Sequence, residues 1–377
     1  MNFRFSKILV FIFLLFLAGC QSSQNALDIL ELDLQESNEV HGEGEILVGM
    51  VLPALASTSV NQPVQDYVDG AKLGLDLLGQ NKLKLLIHRT DGSPASAVRA
   101  TQSLTEAGVK IILGPSDADD LAQMDAATNI PIMAFVPNSA SDLDGAYSFL
   151  NDPILAVNES IRATVESGKN EFVLLHSKGT NSGDLARVKS KITSLKSTVS
   201  NQIEYEVQAS RIKKLLSDNK DLILKSEALI VLGTDAEVKN LLQLMHQNKI
   251  KPNGLLLIEV ENPDKLDLSI PSYQGVIISK LILGKIAAVT NGFKTAHKRP
   301  FTEDAAYGFD MFATVAGLHR TQKLDNGVES GIVDPKGFNG LFGNFRLTKG
   351  GKIERRMDIF QVVNGKLEVL QEIGEGF

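Results

Sequence analysis

From residue 46 onward, short apolar runs alternate with stretches of helical spacing, and the alternation starts afresh after residue 154. The runs at 46–52, 83–87, 109–113 and 132–136 are built largely from Ile, Val, Leu and Met. Runs this continuous predict strands buried on both faces. Between them, 64–78, 95–107 and 121–127 place their apolar residues on one helical face. The second series predicts helices at 154–167, 184–197, 211–224 and 235–248, with strands at 172–175, 203–207, 228–232 and 255–258. Buried strands separated by helices imply a parallel sheet with helices on each side. Two such series predict an α/β chain of two doubly wound parallel-sheet lobes, and 377 residues suffice for two cores. The last third differs. Residues 305–319 form a helix with Phe309, Phe312 and Val315 on one face, and 338–370 reads as β structure with a hairpin at Asn364-Gly365.

Ahead of this pattern stand Arg4, Lys7 and an unbroken apolar run from Ile8 to Leu17. The run is about half of what a membrane-spanning helix needs, and with small residues after it the segment 1–19 reads as a secretory signal peptide. Leu17-Ala18-Gly19-Cys20 resembles the lipobox of bacterial lipoproteins. That resemblance implies that Cys20 becomes the acylated first residue of a periplasm-facing protein held to a membrane by lipid. Gln21 follows it, and lipoproteins with a residue other than Asp there are generally sorted to the outer membrane of a Gram-negative cell. Cys20 is the only cysteine, which excludes a disulfide framework, a thiol metal site and a cysteine nucleophile. Residues 20–45 are expected to be a tether. From Asp28 to Glu45 there are seven acids and no Lys or Arg, and like charges keep such a segment extended. Within it Leu27 to Leu34 alternates loosely between apolar and acidic residues, a pattern that could pair as a strand on a partner, although an extended tether is the reading preferred.

The charge balance narrows function. Formal net charge is −7, and −9 once Arg4 and Lys7 are removed, the wrong sign for a nucleic-acid backbone. The six histidines show no ligand spacing for zinc. Ser217-Asp218-Asn219-Lys220 overlaps two motifs that penicillin-interacting enzymes carry as separate elements, so it reads as a polar loop. No nucleophile elbow, P-loop or dinucleotide fingerprint is present. Asp142 and Asp144 flank Gly145 as a turn, without the spaced ligands of a calcium loop. A non-catalytic protein without cofactor or metal is expected.

Several stretches resemble the type I periplasmic binding proteins, the family of the leucine/isoleucine/valine-binding protein. They are Asp69-Gly70-Ala71 followed by Leu73 and Leu75; Asp91-Gly92-Ser93 followed by Ala97, Ala100 and Leu104; and Gly108-Val109 with Ile112-Leu113-Gly114-Pro115. Further matches are Ile130-Pro131-Ile132, Ala305-Ala306-Tyr307-Gly308-Phe309-Asp310, and Phe338-Asn339-Gly340-Leu341-Phe342-Gly343. The resemblance implies two lobes joined by three chain crossings. Lobe one is expected at 46–150 plus 276–325 and lobe two at 151–275 plus 326–377. A ligand would sit between them at the carboxyl ends of the strands, within a closing hinge.

Strand ends nominate the candidate binding residues. They are the Leu55-Ala56-Ser57 loop, Asp91, Ser116, Asn138 and Ser139 in lobe one, and Asn181, Thr234 and Glu259 in lobe two. Ser116 has two readings: a carboxylate cradle at a helix start, or, with Asp117, a plain helix cap. Asp117, Asp119 and Asp120 crowd that first turn and would repel an anionic ligand. The segment 177–183 lacks the aromatic-Gly pair common in solute receptors of this family, and the chain has no Trp. Among lipoproteins of the fold, Pro131-Ile132-Met133-Ala134-Phe135 with Asn138 is similar to activators of penicillin-binding proteins. The resemblance thus implies an adaptor whose partner is a peptidoglycan synthase. The alternative is a receptor that passes an amino-acid-like solute to an ABC permease.

Overall fold

The computed structural model describes residues 36–54, 62–140, 143, 145–284, 286–373 and 376–377. The expected signal segment, Cys20, the first part of the tether, Leu55-Ala56-Ser57, Asp142 and Asp144 lie outside them.

The first series of apolar runs builds a six-stranded sheet. In chain order its elements are Ser37–His41 (β1), Ile46–Pro53 (β2), helix Gln62–Leu78 (α1), Leu83–Thr90 (β3) and helix Pro94–Glu106 (α2). Ile112–Leu113 (β4), helix Ala118–Ala126 (α3), Ile132–Pro137 (β5) and Ala146–Leu150 (β6) complete it. The order across the sheet is β1-β3-β2-β4-β5-β6, parallel except for β1. β1 falls inside the expected tether, yet it pairs antiparallel with β3 from Ser37↔Arg89 to His41↔Leu85. Its acid Glu39 is met by Lys72 at 2.8 Å and Arg89 Nε at 3.4 Å. Burial opposes its ionisation, but hydrogen bonds from Lys72 and His41 outweigh burial and bring its carboxyl down to about 2.

The second series comprises Pro153–Glu166 (α4), Glu171–Ser177 (β7), Ser182–Ser194 (α5), Thr198–Tyr205 (β8), Ala209–Asp218 (α6) and Lys220–Lys225 (α7). Ala228–Leu232 (β9), Asp235–Gln247 (α8), Leu255–Ile258 (β10) and Val276–Lys280 (β11) follow. The expected single helix 211–224 is broken at Asn219, whose side chain instead donates to the Leu215 carbonyl at 2.9 Å. The chain then forms Ala287–His297 (α9), Glu303–Arg320 (α10) and Val328–Ile332 (α11), and the small sheet Phe338–Gly340 (β12), Gly343–Leu347 (β13) and Ile353–Arg355 (β14). It closes with the hairpin Asp358–Val363 (β15) and Lys366–Gln371 (β16). The second sheet has seven strands in the order β16-β15-β11-β10-β9-β7-β8.

Two of the expected lobe boundaries shift. Strand 276–280, expected in lobe one, lies in the second sheet between parallel β10 and antiparallel β15. Residues 338–357, expected in lobe two, pack into lobe one: Phe345, Leu347, Ile353 and Met357 join the core formed by Met50, Phe135 and Phe149. The chain therefore crosses after β6, after β11 and between β14 and β15.

Two glycines set how lobe one closes. α1 and α10 cross so tightly that a Cβ on Gly70 would stand 1.9 Å from the Ala305 carbonyl oxygen. One on Gly308 would stand 2.0 Å from that of Tyr67. At one end of this crossing the buried carboxylates of Asp66 and Asp69 are both bridged by Arg299, at 2.5 Å each.

The first and third crossings meet at Arg355, which is 2% exposed. Its Nη2 donates to the carbonyl of Phe149, just before the first crossing, at 3.0 Å. The rings of Phe149, Tyr307, Phe342 and Phe345 surround its guanidinium at 4.9–5.9 Å. Next to Phe342, the Leu341 carbonyl accepts from Gly284 of the second crossing at 2.7 Å. Arg355 itself ends β14 and opens the third.

Overpacking a well-filled contact costs about 1–3 kcal/mol, more where backbone must move. Gly308→Ala is therefore expected to destabilise by at least that range. Gly317→Ala on the same helix, where a Cβ meets nothing within 4 Å, should stabilise by about 0.5–1 kcal/mol. Urea unfolding of the two variants measures both; equal effects would show that the crossing is not close-packed.

Candidate functional site

Between the lobes lies a cleft of 670 Å³. Lobe one supplies Pro137 and Ser139 from the end of β5, Tyr307 from α10 and Phe342 beside β13. The crossings supply Asn151, Asp152 and Leu281, and lobe two the loop 260–265 with Ser279 and Lys280. Tyr307 and Phe342 lean together, centroids 4.7 Å apart, over the buried Arg355. Asn151 leaves its side-chain oxygen shielded from solvent and without a hydrogen bond among the described residues. Lys280 is neutralised by Asp264.

A second hollow of 460 Å³ is cut into lobe two at the carboxyl ends of β7, β9 and β10 and shares Pro153 and Glu261 with the cleft. Asp184, Asp235, Glu237, Glu259 and Glu261 line it, and no cationic side chain does. Arg187 stands behind, donating to both oxygens of Asp152 at 2.6 and 2.7 Å and to Asp184 at 3.0 Å. The Gly233 amide donates to Glu259 at 2.8 Å. Burial nevertheless pushes the Glu259 carboxyl up to about 7, and the charges of Asp184, Asp152 and Asp235 add to the rise. A hollow with this lining attracts cations and hydrogen-bond donors and repels carboxylates.

The structure brings four of the seven candidate residues to these cavities. Ser139 lines the cleft, and Asn181, Thr234 and Glu259 line the hollow. Two of them also hold helix ends. Asn181 accepts from the Gly183 amide at 2.7 Å at the start of α5. Thr234 forms a reciprocal cap with Glu237 at the start of α8.

The other three line neither cavity. Asp91 is turned into its own loop, accepting from the hydroxyl and amide of Ser93 at 2.6 and 2.8 Å; these bonds lower its pKa. Asn138 is buried and ties β5 to β14, donating to the Ile353 carbonyl at 2.8 Å and accepting from the Ile353 amide at 2.9 Å. Ser116 is half-buried beside Asp117, and it is Asp117 that caps α3. The Asp117 carboxylate accepts from the amides of Asp119 and Asp120 at 2.8 and 3.2 Å. Burial raises the pKa of Asp120 on the same turn, and the charges of Asp117 and Asp119 raise it further.

Sequence reasoning did not single out Tyr307, Phe342, Asn151 or Asp152. Asp152-Pro153 is a helix-start signature, and Tyr307 sits in the Ala-Ala-Tyr-Gly motif, so both left a trace. Phe342 sits in the Phe338 to Gly343 motif, but its place in the cleft depends on a sheet that only the folded chain assembles. Among the described residues no group of three His, Cys, Asp or Glu side chains is arranged to hold a metal ion, and no helix is long and apolar enough to cross a membrane.

The raised Glu259 carboxyl has a stability consequence. The folded chain keeps that proton up to about pH 7, whereas the unfolded chain sheds it near the ordinary carboxylate value, so stability falls as pH rises through this window. Glu259→Gln is expected to stabilise by about 1–3 kcal/mol at pH 8 and by clearly less at pH 5. Thermal unfolding at the two pH values measures this, and an equal effect at both would refute the assignment.

No protein-family model and no curated protein sequence matches this chain. Solved structures do. The branched-chain amino acid ABC transporter periplasmic ligand-binding protein of Burkholderia xenovorans is 13% identical, with a TM-score of 0.60 over 88% of this chain and 96% of that one. The ABC transporter substrate-binding protein of Desulfitobacterium hafniense, in complex with Leu, is 14% identical, with a TM-score of 0.55 over 86% and 99%. The C-domain of LpoA from Haemophilus influenzae, described as a regulator of PBP1A, is 14% identical, with a TM-score of 0.63 over 86% and 100%. These neighbours are binding proteins and a regulator, and at such identities the likeness is one of fold. Two doubly wound lobes, three crossings and a cleft at the strand ends are the type I periplasmic binding protein fold.

Proposed function

We propose that the protein is a non-catalytic, lipid-anchored envelope adaptor that supports peptidoglycan synthesis by contact with a penicillin-binding protein. The observation that carries this reading is the hollow beside the cleft, lined by five carboxylates and no cation. At the start of α3, which lines neither cavity, the amides already bind Asp117, and two more acids sit on the same turn. An α-amino acid brings a carboxylate that neither of these places accommodates. The fold shared with the LpoA C-domain, a PBP1A regulator, supports a role in which the lobes present surface to a protein. Acylation at Cys20 would hold the adaptor at the membrane, and a tether of about 15 residues to Glu36 reaches at most about 50 Å.

The 670 Å³ cleft favours a second reading, the substrate-binding lipoprotein of an ABC importer for branched-chain or other amino-acid-like solutes. One experiment separates the two. The purified chain is heated with each of the twenty amino acids, and crosslinked envelopes are searched for its partners. We expect no shift in Tm above about 1 °C and recovery of a peptidoglycan synthase. A shift of several degrees with leucine, isoleucine or valine, or recovery of an ABC permease, would replace the adaptor with the receptor.

A further inference from the structure

At the pole of lobe two opposite the cleft, the end of α8, the loop into β10 and the 3-10 turn Pro271–Tyr273 enclose a groove of 460 Å³. Its floor is apolar: Leu242, Met245, Ile250 and Leu256. Its rim is cationic at Lys249 and Lys251, which are exposed and line it beside His246. Neither lysine has a carboxylate within ion-pair distance among the described residues. The hydroxyl of Ser272 lies beneath the groove wall, shielded from solvent and without a hydrogen-bond partner among the described residues.

The groove thus asks for a short segment with aliphatic side chains and acidic neighbours. This chain contains one in Leu27-Asp28-Ile29-Leu30-Glu31-Leu32-Asp33-Leu34. We propose that the groove of one molecule receives residues 27–34 of a second copy. Leu30 and Leu32 would enter the apolar floor, and Asp28, Glu31 and Asp33 would face the cationic rim. The contact must be between molecules. Glu36 bonds Ser96 and Arg99 near the cleft end of lobe one, whereas the groove lies a full strand length beyond the far side of the cleft. Eight extended residues span about 27 Å, too short to pass the cleft and the height of lobe two. Such a contact is head-to-tail, so each molecule both gives a segment and receives one.

Sedimentation velocity of the full chain tests this. Association that grows with protein concentration and weakens between 50 and 500 mM salt is expected. Lys249→Glu with Lys251→Glu should weaken it at least tenfold, as should Asp28→Lys, Glu31→Lys and Asp33→Lys together. Combining the two sets should restore it, because the charges are exchanged and not lost. A chain that stays monomeric at 100 µM, association that ignores the lysine variants, or failure of the combined variant to recover would each overturn the proposal. So would retention on phosphatidylglycerol vesicles that disappears with the lysine variants while the protein stays monomeric, since that would assign the rim to a lipid surface.

Discussion

The crossing of α1 over α10 is the contact on which lobe one depends. With glycine at positions 70 and 308, the two backbones meet where any side chain would collide with a carbonyl, and helices packed this closely leave little room to slide. The consequence reaches the cleft. Tyr307 precedes Gly308 and Asp310 follows, so the close approach fixes one wall residue and the carboxylate that accepts the Leu341 amide at 2.7 Å. Burial raises Asp310 to about 6, and its neighbour Arg355 has its pKa lowered by the same desolvation. Taking both groups out of water costs free energy that the hydrogen bonds to the Leu341 amide and the Phe149 carbonyl offset.

Electrostatics divides the two walls of the cleft from the receptor pattern that the fold allows. Helix starts offer free amides to anions, yet at α3, α5 and α8 those amides are taken by Asp117, Asn181 and Thr234. The same capping that stabilises these helices removes the groups a solute carboxylate would use. The hollow in lobe two is left with acidic surface, which repels carboxylates and favours cations.

Much of this architecture is legible in the sequence. The strands 46–52, 132–136, 172–175 and 228–232 are continuous apolar runs, and each is a core strand. The Asn364-Gly365 hairpin forms with both residues at positive φ, 51° and 75°, the twist that favours this pair. The Asp69-Gly70-Ala71 and Ala305 to Gly308 motifs turn out to be the two halves of one helix crossing. What stayed hidden is what depends on partners far along the chain. β1 reads as acidic tether because Glu39 looks unpaired until Lys72 and Arg89 are folded against it. The strand at 276–280 and the β structure at 338–357 carry apolar patterns that fit either lobe, so pattern alone does not assign them. Asn138 reads as a ligand contact at a strand end, but its partner Ile353 is more than two hundred residues away.

Arg355 stands where the first and third crossings leave lobe one, between the Phe149 carbonyl and the end of β14. The rings that cage it, Phe149, Tyr307, Phe342 and Phe345, all belong to that lobe. Among the described residues its Nε and Nη1 have no hydrogen-bond partner, so ring faces and one carbonyl hold the charge. Repacking any one ring would therefore disturb the core of lobe one and the exits of two crossings together.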